Sequence, residues 1–380
     1  MMIELHGAGF NNRGGQLMLR TTAERLRARA PVELCMEALP GDQIGYGIRP
    51  LRPSVRPFKQ AKPVPVFFGL SRVAGRLMPP SPDYARRRDP SALIDISGYA
   101  FGDSWGARRA GNFATRCAYY KKHGHPVVLL PQMLGPFEKP AVADAFRRVL
   151  HLADRVYARD AVSLSAVQAL DPPAGVVRLA PDLTIFLAEH PQPAGSEHRY
   201  ACIVPNMRVL DAGKDKAAWQ PVYLNRLEAA ARAMLEAGLQ VRFVVHDASG
   251  DDRQLAEQLA QRVPQGSIFS DPDPVVLKSY LGGAELVVGS RFHALVASLS
   301  MGVPAIALGW AHKYKMLLSD FGLPQLVHGP GDTDAHLLGL VSGLCGEDGV
   351  AARETIAAAL DRLRPQHDAM WADVFGVLGI

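Results

Sequence analysis

Short apolar runs alternate with longer amphipathic stretches along most of the chain. MIELH (2–6) reads as a strand, and GGQLMLRTTAERLRARA (14–30) as a helix with apolar positions at Leu17, Leu19 and Leu26. PVELCME (31–37) is a second strand. The alternation resumes with the strand ALIDIS (92–97), the helix ARRAGNFATRCAYYKKHG (107–124) and the strand PVVLLPQ (126–132). VADAFRRVLHLA (142–153) and AVSLSAVQAL (161–170) follow as helices, with RVYAR (155–159) and VVRLA (176–180) as strands. Strands separated by helical patterns predict βαβ units and parallel sheet.

The same logic starts again near Arg199. ACIVP (201–205) and QVRFVVH (240–246) flank the helix PVYLNRLEAAARAMLEAGL, with Gly238 placed to stop it. DDRQLAEQLAQRV and VVLKSYLGGA read as helices, with the short strand SIF between them. ELVVGS (285–290) and PAIALG (304–309) read as buried strands around the helix HALVASLSMG, and helices close the chain from about Asp332. With a seam near EHPQPAGSEHR, the pattern predicts an α/β protein of two Rossmann-like domains facing a cleft, residues 1–195 and 196–380. At 380 residues, two cores are expected on size alone. Ligands of such sheets sit at the carboxyl ends of the strands.

One stretch breaks the pattern. Residues 47–90 are rich in proline and arginine, show no period, and are long for an internal connection. Between Arg49 and Pro90 ten Lys or Arg face two Asp, so the chain's net charge of +5 belongs to this segment. A basic segment in place of a basic face argues against nucleic acid as partner. Either the segment is a solvated insertion, or it is an arm that covers an acceptor site or touches an anionic membrane surface through Phe67, Phe68 and Leu70. No apolar run approaches a membrane span, and the amino terminus does not read as a signal peptide. Cys35, Cys117, Cys202 and Cys345 are scattered as buried thiols of a reducing cytoplasm would be. The expected location is therefore cytoplasmic, with peripheral contact at the inner face of the membrane if the 49–90 arm serves that purpose.

The strongest chemical signal is VVGSRFHALVASLSMGVPAIALGW. Arg291 and His293 follow a strand that ends in glycine, and in an extended segment they point to one side. An arginine's planar fork suits phosphate or carboxylate, and a histidine nearby can supply a proton. The competing reading is a structural Arg–carboxylate pair beside a buried histidine; the strand-end position favours function. In HGAGFNNRGGQLML, a strand leads through glycines into a helix start, a turn that places Asn11 and Asn12 in the cleft.

Other polar groups stand at strand ends. They are Asp95, Ser97 and Asp103 in DISGYAFGDSWG, Arg159 and Asp160 in RVYARD, Asp182 in LAPDL, and Asn206 and Arg208 in IVPNMR. Lys313 and Tyr314 are expected on the loop after PAIAL, and Asp160 reads as a helix cap. Each alone is ordinary; together they line one edge of two sheets. No H-E-x-x-H, G-x-S-x-G or cysteine–base pair appears, so neither a metal nor a bound cofactor is expected.

The ordered set HGAGFNNRGGQLML, ALIDISGYAFGD, VVLLPQMLGPF, RVYARDAVSLSAV, RLAPDLTIFL and VVGSRFHALVASLSMGVPAIALGW resembles the polysaccharide pyruvyl transferase family from about His6 to Leu323. The resemblance implies a GT-B-like architecture and transfer of an enolpyruvyl unit from phosphoenolpyruvate to a sugar of a cell-surface polysaccharide precursor, as a ketal. It carries Arg291 over as donor-binding arginine and His293 as proton-transferring histidine, with Arg159 a second anion contact. Arg208, Lys313, Asn11 and Asn12 are then substrate-binding candidates, and Asp182 or Asp95 the carboxylate that takes a hydroxyl proton. The first domain becomes the acceptor side and the second the donor side. Gly98-Tyr99 stands where many members have a longer glycine run, so the acceptor sugar and any lipid linkage stay open. The alternatives are a GT-B-type nucleotide-sugar glycosyltransferase or epimerase, and a non-catalytic protein that binds anions or membrane.

Overall fold

The computed structural model describes residues 1–10, 12–38, 44–51, 85–187, 198–211, 215–247, 250–309 and 312–380. Two sheets, parallel throughout the strand pairs among these residues, form its frame. The first comprises β1 (Met2–His6), β2 (Glu33–Glu37), β3 (Arg49–Leu51), β4 (Ala92–Asp95), β5 (Tyr99–Phe101), β6 (Val127–Leu134), β7 (Arg155–Ala158) and β8 (Val177–Leu179). Its order is β3-β2-β1-β4-β6-β7-β8, with β5 on β6. All eight positions of β6 are buried, as expected of a central parallel strand covered on both faces.

The second sheet comprises β9 (Tyr200–Val204), β10 (Gln240–Val244), β11 (Ser267–Phe269), β12 (Val287–Gly289), β13 (Ala305–Leu308) and β14 (Val327–His328), in the order β11-β10-β9-β12-β13-β14. In each sheet the strand order reverses once, between β1 and β4 and between β9 and β12. Such a reversal opens a crevice at the carboxyl ends, because the connections on either side depart to opposite faces. The two crevices face one cleft, whose lining comes mainly from the segments after β1, β4, β7, β9, β10, β12 and β13.

Helix α1 (Arg13–Arg29) begins where Asn12 caps it, the side chain accepting from Gly14 N at 2.8 Å. Such a cap contributes about 1 kcal/mol. Leu17, Met18, Leu19, Ala23 and Leu26 are buried on this helix, and Asn12 also forms a backbone bridge with Asp247 of the second domain. Further ties cross the gap. Arg20 binds Asp273 at 3.1 Å, and Lys278 of the second domain reaches Thr184 O of the first at 2.6 Å.

The expected boundary at 195/196 falls in 188–197, outside the described residues. The carboxyl terminus corrects the assignment of everything after 196 to the second domain. In the last helix, Glu347–Leu378, Ala352, Ile356, Ala359 and Leu363 join the second core. Met370, Trp371, Val374 and Leu378 instead join the first core, and Asp373 binds Arg155 and Arg178. Pro365, which lacks the N–H of an intrahelical bond, stands between these two halves.

The 47–90 segment is not wholly irregular. Arg49–Leu51 pairs with β2, and Ala85 bridges Leu51. Residues 52–84, including the arm proposed around Phe67, lie outside the described residues. Among the described residues no helix is long and apolar enough to cross a membrane.

Candidate active site

The site grows from the end of β12. Gly289 permits its approach to β9, since a Cβ there would stand 2.8 Å from the Val204 carbonyl oxygen. Ser290, fully buried, is then fixed from three sides. Its hydroxyl accepts from Tyr223 Oη at 2.9 Å, and its carbonyl accepts from Asn206 Nδ2 at 2.9 Å and Tyr314 Oη at 2.7 Å. The helix Phe292–Ser300 starts immediately after Arg291, so His293 stands in a first helical turn. The expected extended segment is therefore corrected. Arg291 and His293 both line the cleft because the chain turns between them, with Phe292 beside them.

Arg291 is held by carboxylates. Its Nε and Nη2 donate to the two oxygens of Asp252 at 2.6 Å each, and Nη2 also reaches Asp247 at 2.7 Å. Asp252 is wholly buried and receives Met207 N–H as well. Burial works against the guanidinium's charge, but the two carboxylates outweigh it and raise its pKa. The parallel fork expected to grip an anion is thus closed on Asp252, leaving Nη1 outside these bonds.

The cations turned to the cleft meet at Phe292. The Arg159 guanidinium lies 4.1 Å from the ring centroid and Lys313 Nζ lies 5.6 Å from it. Such contacts stabilise a cation on an aromatic face. Lys313 belongs to the helix His312–Asp320, not to a loop, and the Tyr314–Ser290 bond sets that helix against β12. Burial first, then Arg159 and Arg291, push the Lys313 ammonium down to about 8.

His293 packs against the amino-terminal glycine turn. A Cβ on Gly14 would lie 2.0 Å from its Nδ1, so only glycine admits the ring. Its Nε2 is enclosed and has no protein hydrogen-bond partner. Burial, with Arg159 and Lys313 adding to it against Asp182, pushes His293 down to about 4, so the imidazole is neutral at pH 7.

The two carboxylates expected to take a proton are buried supports, and neither lines the cleft. Asp182 accepts Arg159 Nη1 at 3.1 Å, Thr184 Oγ1 at 2.7 Å and Thr184 N at 2.9 Å. Burial alone would raise its carboxyl; Arg159, His293 and Thr184 reverse that and hold it below the usual range. Asp95 accepts from Ser97 Oγ at 2.8 Å and Gln132 Nε2 at 2.9 Å, and pairs with His6 Nδ1 at 2.6 Å. Asp160 caps the helix Ala161–Gln168 as expected, and Asp103 accepts the N–H groups of Glu138 and Lys139.

Asn12, Asn206 and Arg208 line the cleft, while Asn11 lies outside the described residues. Arg208 is an exposed rim residue paired with Asp211 at 2.8 Å. His246 also lines the cleft and was missed, although it ends the strand pattern QVRFVVH. Burial, followed by Arg291 and His293, pushes it down to about 3. Lys278 was missed too. It is 1% exposed, and its Nζ donates across the domain boundary to the carbonyls of Thr184 at 2.6 Å and Ile185 at 3.1 Å. Its position on the buried stripe Pro274, Leu277, Lys278, Leu281 was the available signal. Away from the cleft lining, His328, Asp332 and His336 bring three potential metal-ligand atoms within 4.8 Å of one another.

The cleft encloses about 360 Å³ and is lined by Arg159, Arg208, Arg291 and Lys313 around His293. Two open parallel sheets whose reversal points face each other define a GT-B-like two-domain protein. Solved structures agree on the fold. The S. aureus MnaA–UDP co-structure matches 93% of this chain and 90% of its own at a TM-score of 0.57, with 11% identity. A UDP-N-acetylglucosamine 2-epimerase gives 0.58, covering 93% and 89% at 11% identity. Phytolacca americana UGT2, complexed with UDP-2-fluoro-glucose and pterostilbene, gives 0.51, covering 98% and 99% at 12% identity. Within that class the sequence is specific: the polysaccharide pyruvyl transferase profile matches residues 12–312, and the chain belongs to that family. Amylovoran biosynthesis protein AmsJ of Erwinia amylovora is 23% identical over 310 residues, 76% of this chain and 73% of that protein.

Proposed function

We propose that this protein transfers the enolpyruvyl group of phosphoenolpyruvate to hydroxyls of a sugar in a polysaccharide precursor, closing a pyruvate ketal. The observation that carries this reading is the meeting of Arg159 and Lys313 on the Phe292 ring beside His293. Burial is the largest cause lowering Lys313 and His293, and the Arg159 charge adds to it at both. A small anion that carries a phosphate and a carboxylate suits this pair of cations. Arg159 and Lys313 receive it, with Arg291 Nη1 and the start of the Phe292–Ser300 helix as further donors.

In the free protein His293 is neutral. The incoming anion offsets Arg159 and Lys313, and with Asp182 it draws a proton onto the imidazole. The imidazolium gives that proton to C3 of the donor, leaving C2 electrophilic and a methyl group in place of the methylene. A sugar hydroxyl attacks C2, and neutral His293 takes the hydroxyl's proton. The C2–O bond to phosphate then breaks, a second hydroxyl attacks C2, and its proton leaves with the phosphate. Asp182 serves as the partner that holds Arg159.

The test is phosphate release from phosphoenolpyruvate with a panel of nucleotide- and lipid-linked sugars, alongside thermal shifts with phosphoenolpyruvate and UDP-sugars. Phosphoenolpyruvate alone should stabilise the protein. His293→Ala should release phosphate about 10²–10⁴ times more slowly while keeping the fold. Stabilisation by UDP-sugars without phosphoenolpyruvate would replace this reading with glycosyl transfer or epimerisation.

A further inference from the structure

We infer that Tyr99 and Trp105, on the first domain's rim of the cleft, form the platform on which the acceptor's pyranose ring stacks. The inference rests on the proposed acceptor being a sugar. Both residues line the same cleft as His293 and Lys313, with Tyr99 opening β5 and Trp105 following that strand in the first domain. Trp105 is 42% exposed, among the few large apolar residues left open on the described surface. An indole facing a cleft in this way has apolar area still to cover.

The pair is set in place before any ligand arrives. Tyr99 meets Trp105 edge-on at a centroid separation of 5.6 Å, and the Arg109 guanidinium sits 4.6 Å from the indole centroid. Trp105 N donates to the Gly102 carbonyl at 3.0 Å. Gly102 lies so close to Gly135 that a Cβ would stand 2.4 Å from its carbonyl oxygen. Asp103, between them in sequence, binds the backbone of Glu138 and Lys139. The loop is thus tied just ahead of the tryptophan, and the ring stays exposed.

A pyranose matches this surface. It presents a face of C–H bonds to an aromatic ring while its hydroxyls point sideways, towards groups such as Ser97 on the same lining. A nucleotide base or an acyl chain would also cover an indole, but neither offers the hydroxyls that the chemistry at His293 consumes. A sugar held on Trp105 shares one cleft with the anion site formed by Arg159 of the first domain and Lys313 of the second.

The experiment is saturation-transfer NMR on the full chain with methyl β-D-galactopyranoside and methyl β-D-glucopyranoside. It compares wild type, Trp105→Ala and Trp105→Phe, with phosphoenolpyruvate thermal shifts recorded in parallel. Transfer to the ring C–H protons of at least one glycoside is expected in wild type. It should weaken roughly tenfold in W105A and survive in W105F, while the phosphoenolpyruvate shift stays the same in all three. Equal transfer in W105A, no transfer in wild type, or displacement of the glycosides by UMP through Trp105 would overturn the platform. Loss of the phosphoenolpyruvate shift in every protein would instead remove the donor reading, and the glycoside signals are read independently of it.

Discussion

His293 and Gly14 touch across the two domains so closely that a methyl group on Gly14 would lie 2.0 Å from His293 Nδ1. The glycine opens the first helix of one domain, and the histidine stands in a first helical turn of the other. Gly14→Ala should therefore turn the imidazole without harming the helix, where alanine is favoured over glycine by roughly 0.5–1 kcal/mol. A displacement of this size can cost about 10²-fold in turnover. Phosphate-release kinetics beside circular dichroism checks it; full turnover in G14A would show that the ring's position is not critical.

Arg291 and Asp252 give a second expectation. Arg291→Ala leaves a wholly buried carboxylate without its partner, a loss of about 3–5 kcal/mol. The double variant Arg291→Ala/Asp252→Ala should recover much of that stability in urea titrations yet remain poorly active. If the double variant recovered activity, the contribution of Arg291 would be purely structural.

Donor binding should bring a proton with it. His293 sits at about 4 in the free protein, so at pH 7 an anion that charges the imidazole must draw a proton from solvent. Isothermal titration of phosphoenolpyruvate in two buffers of different ionisation enthalpy measures this uptake. In His293→Gln the buffer dependence should shrink. An identical dependence in both proteins would assign the proton elsewhere.

Lys278 links stability to pH. Burial pushes it down to about 7, with Asp182 opposing, whereas in the unfolded chain it titrates near the usual lysine value of about 10.4. Between those values the unfolded state holds more protons, so this residue's contribution to stability grows as pH rises from about 7 and is least below it. Wild type should gain stability over Lys278→Met between pH 7 and pH 9 in denaturant titrations. A constant difference between the two would show that the lysine keeps its proton in the folded protein over this range. The same variant loses both carbonyl bonds to residues 184 and 185, so a fall in turnover from a displaced Asp182 loop is expected with it.

How far the sequence reached differs from element to element. The alternation of apolar runs located the main strands, because parallel strands covered on both faces must be nearly continuous in apolar residues. It overlooked Arg49–Leu51, Tyr99–Phe101 and Val327–His328, which are two or three residues long and owe their assignment to pairing with a neighbour. The carboxyl-end rule picked out Arg159, Asn206, Arg208, Arg291 and His293, all of which line the cleft, and applied to QVRFVVH it would have added His246. It also picked out Asp95 and Asp182, which turn inward to hydrogen-bond partners distant in sequence.

The sequence by itself determined the βα alternation and the polar groups at strand ends, because both follow from local periodicity. Tertiary structure alone decided what each group faces. Asp252 closes on Arg291, Lys278 reaches across to residue 184, and the last helix leaves one core for the other at Pro365. Gly14 admits His293 for the same reason: these relationships depend on atoms brought together from distant parts of the chain, and no local pattern encodes which partner a buried charge will meet.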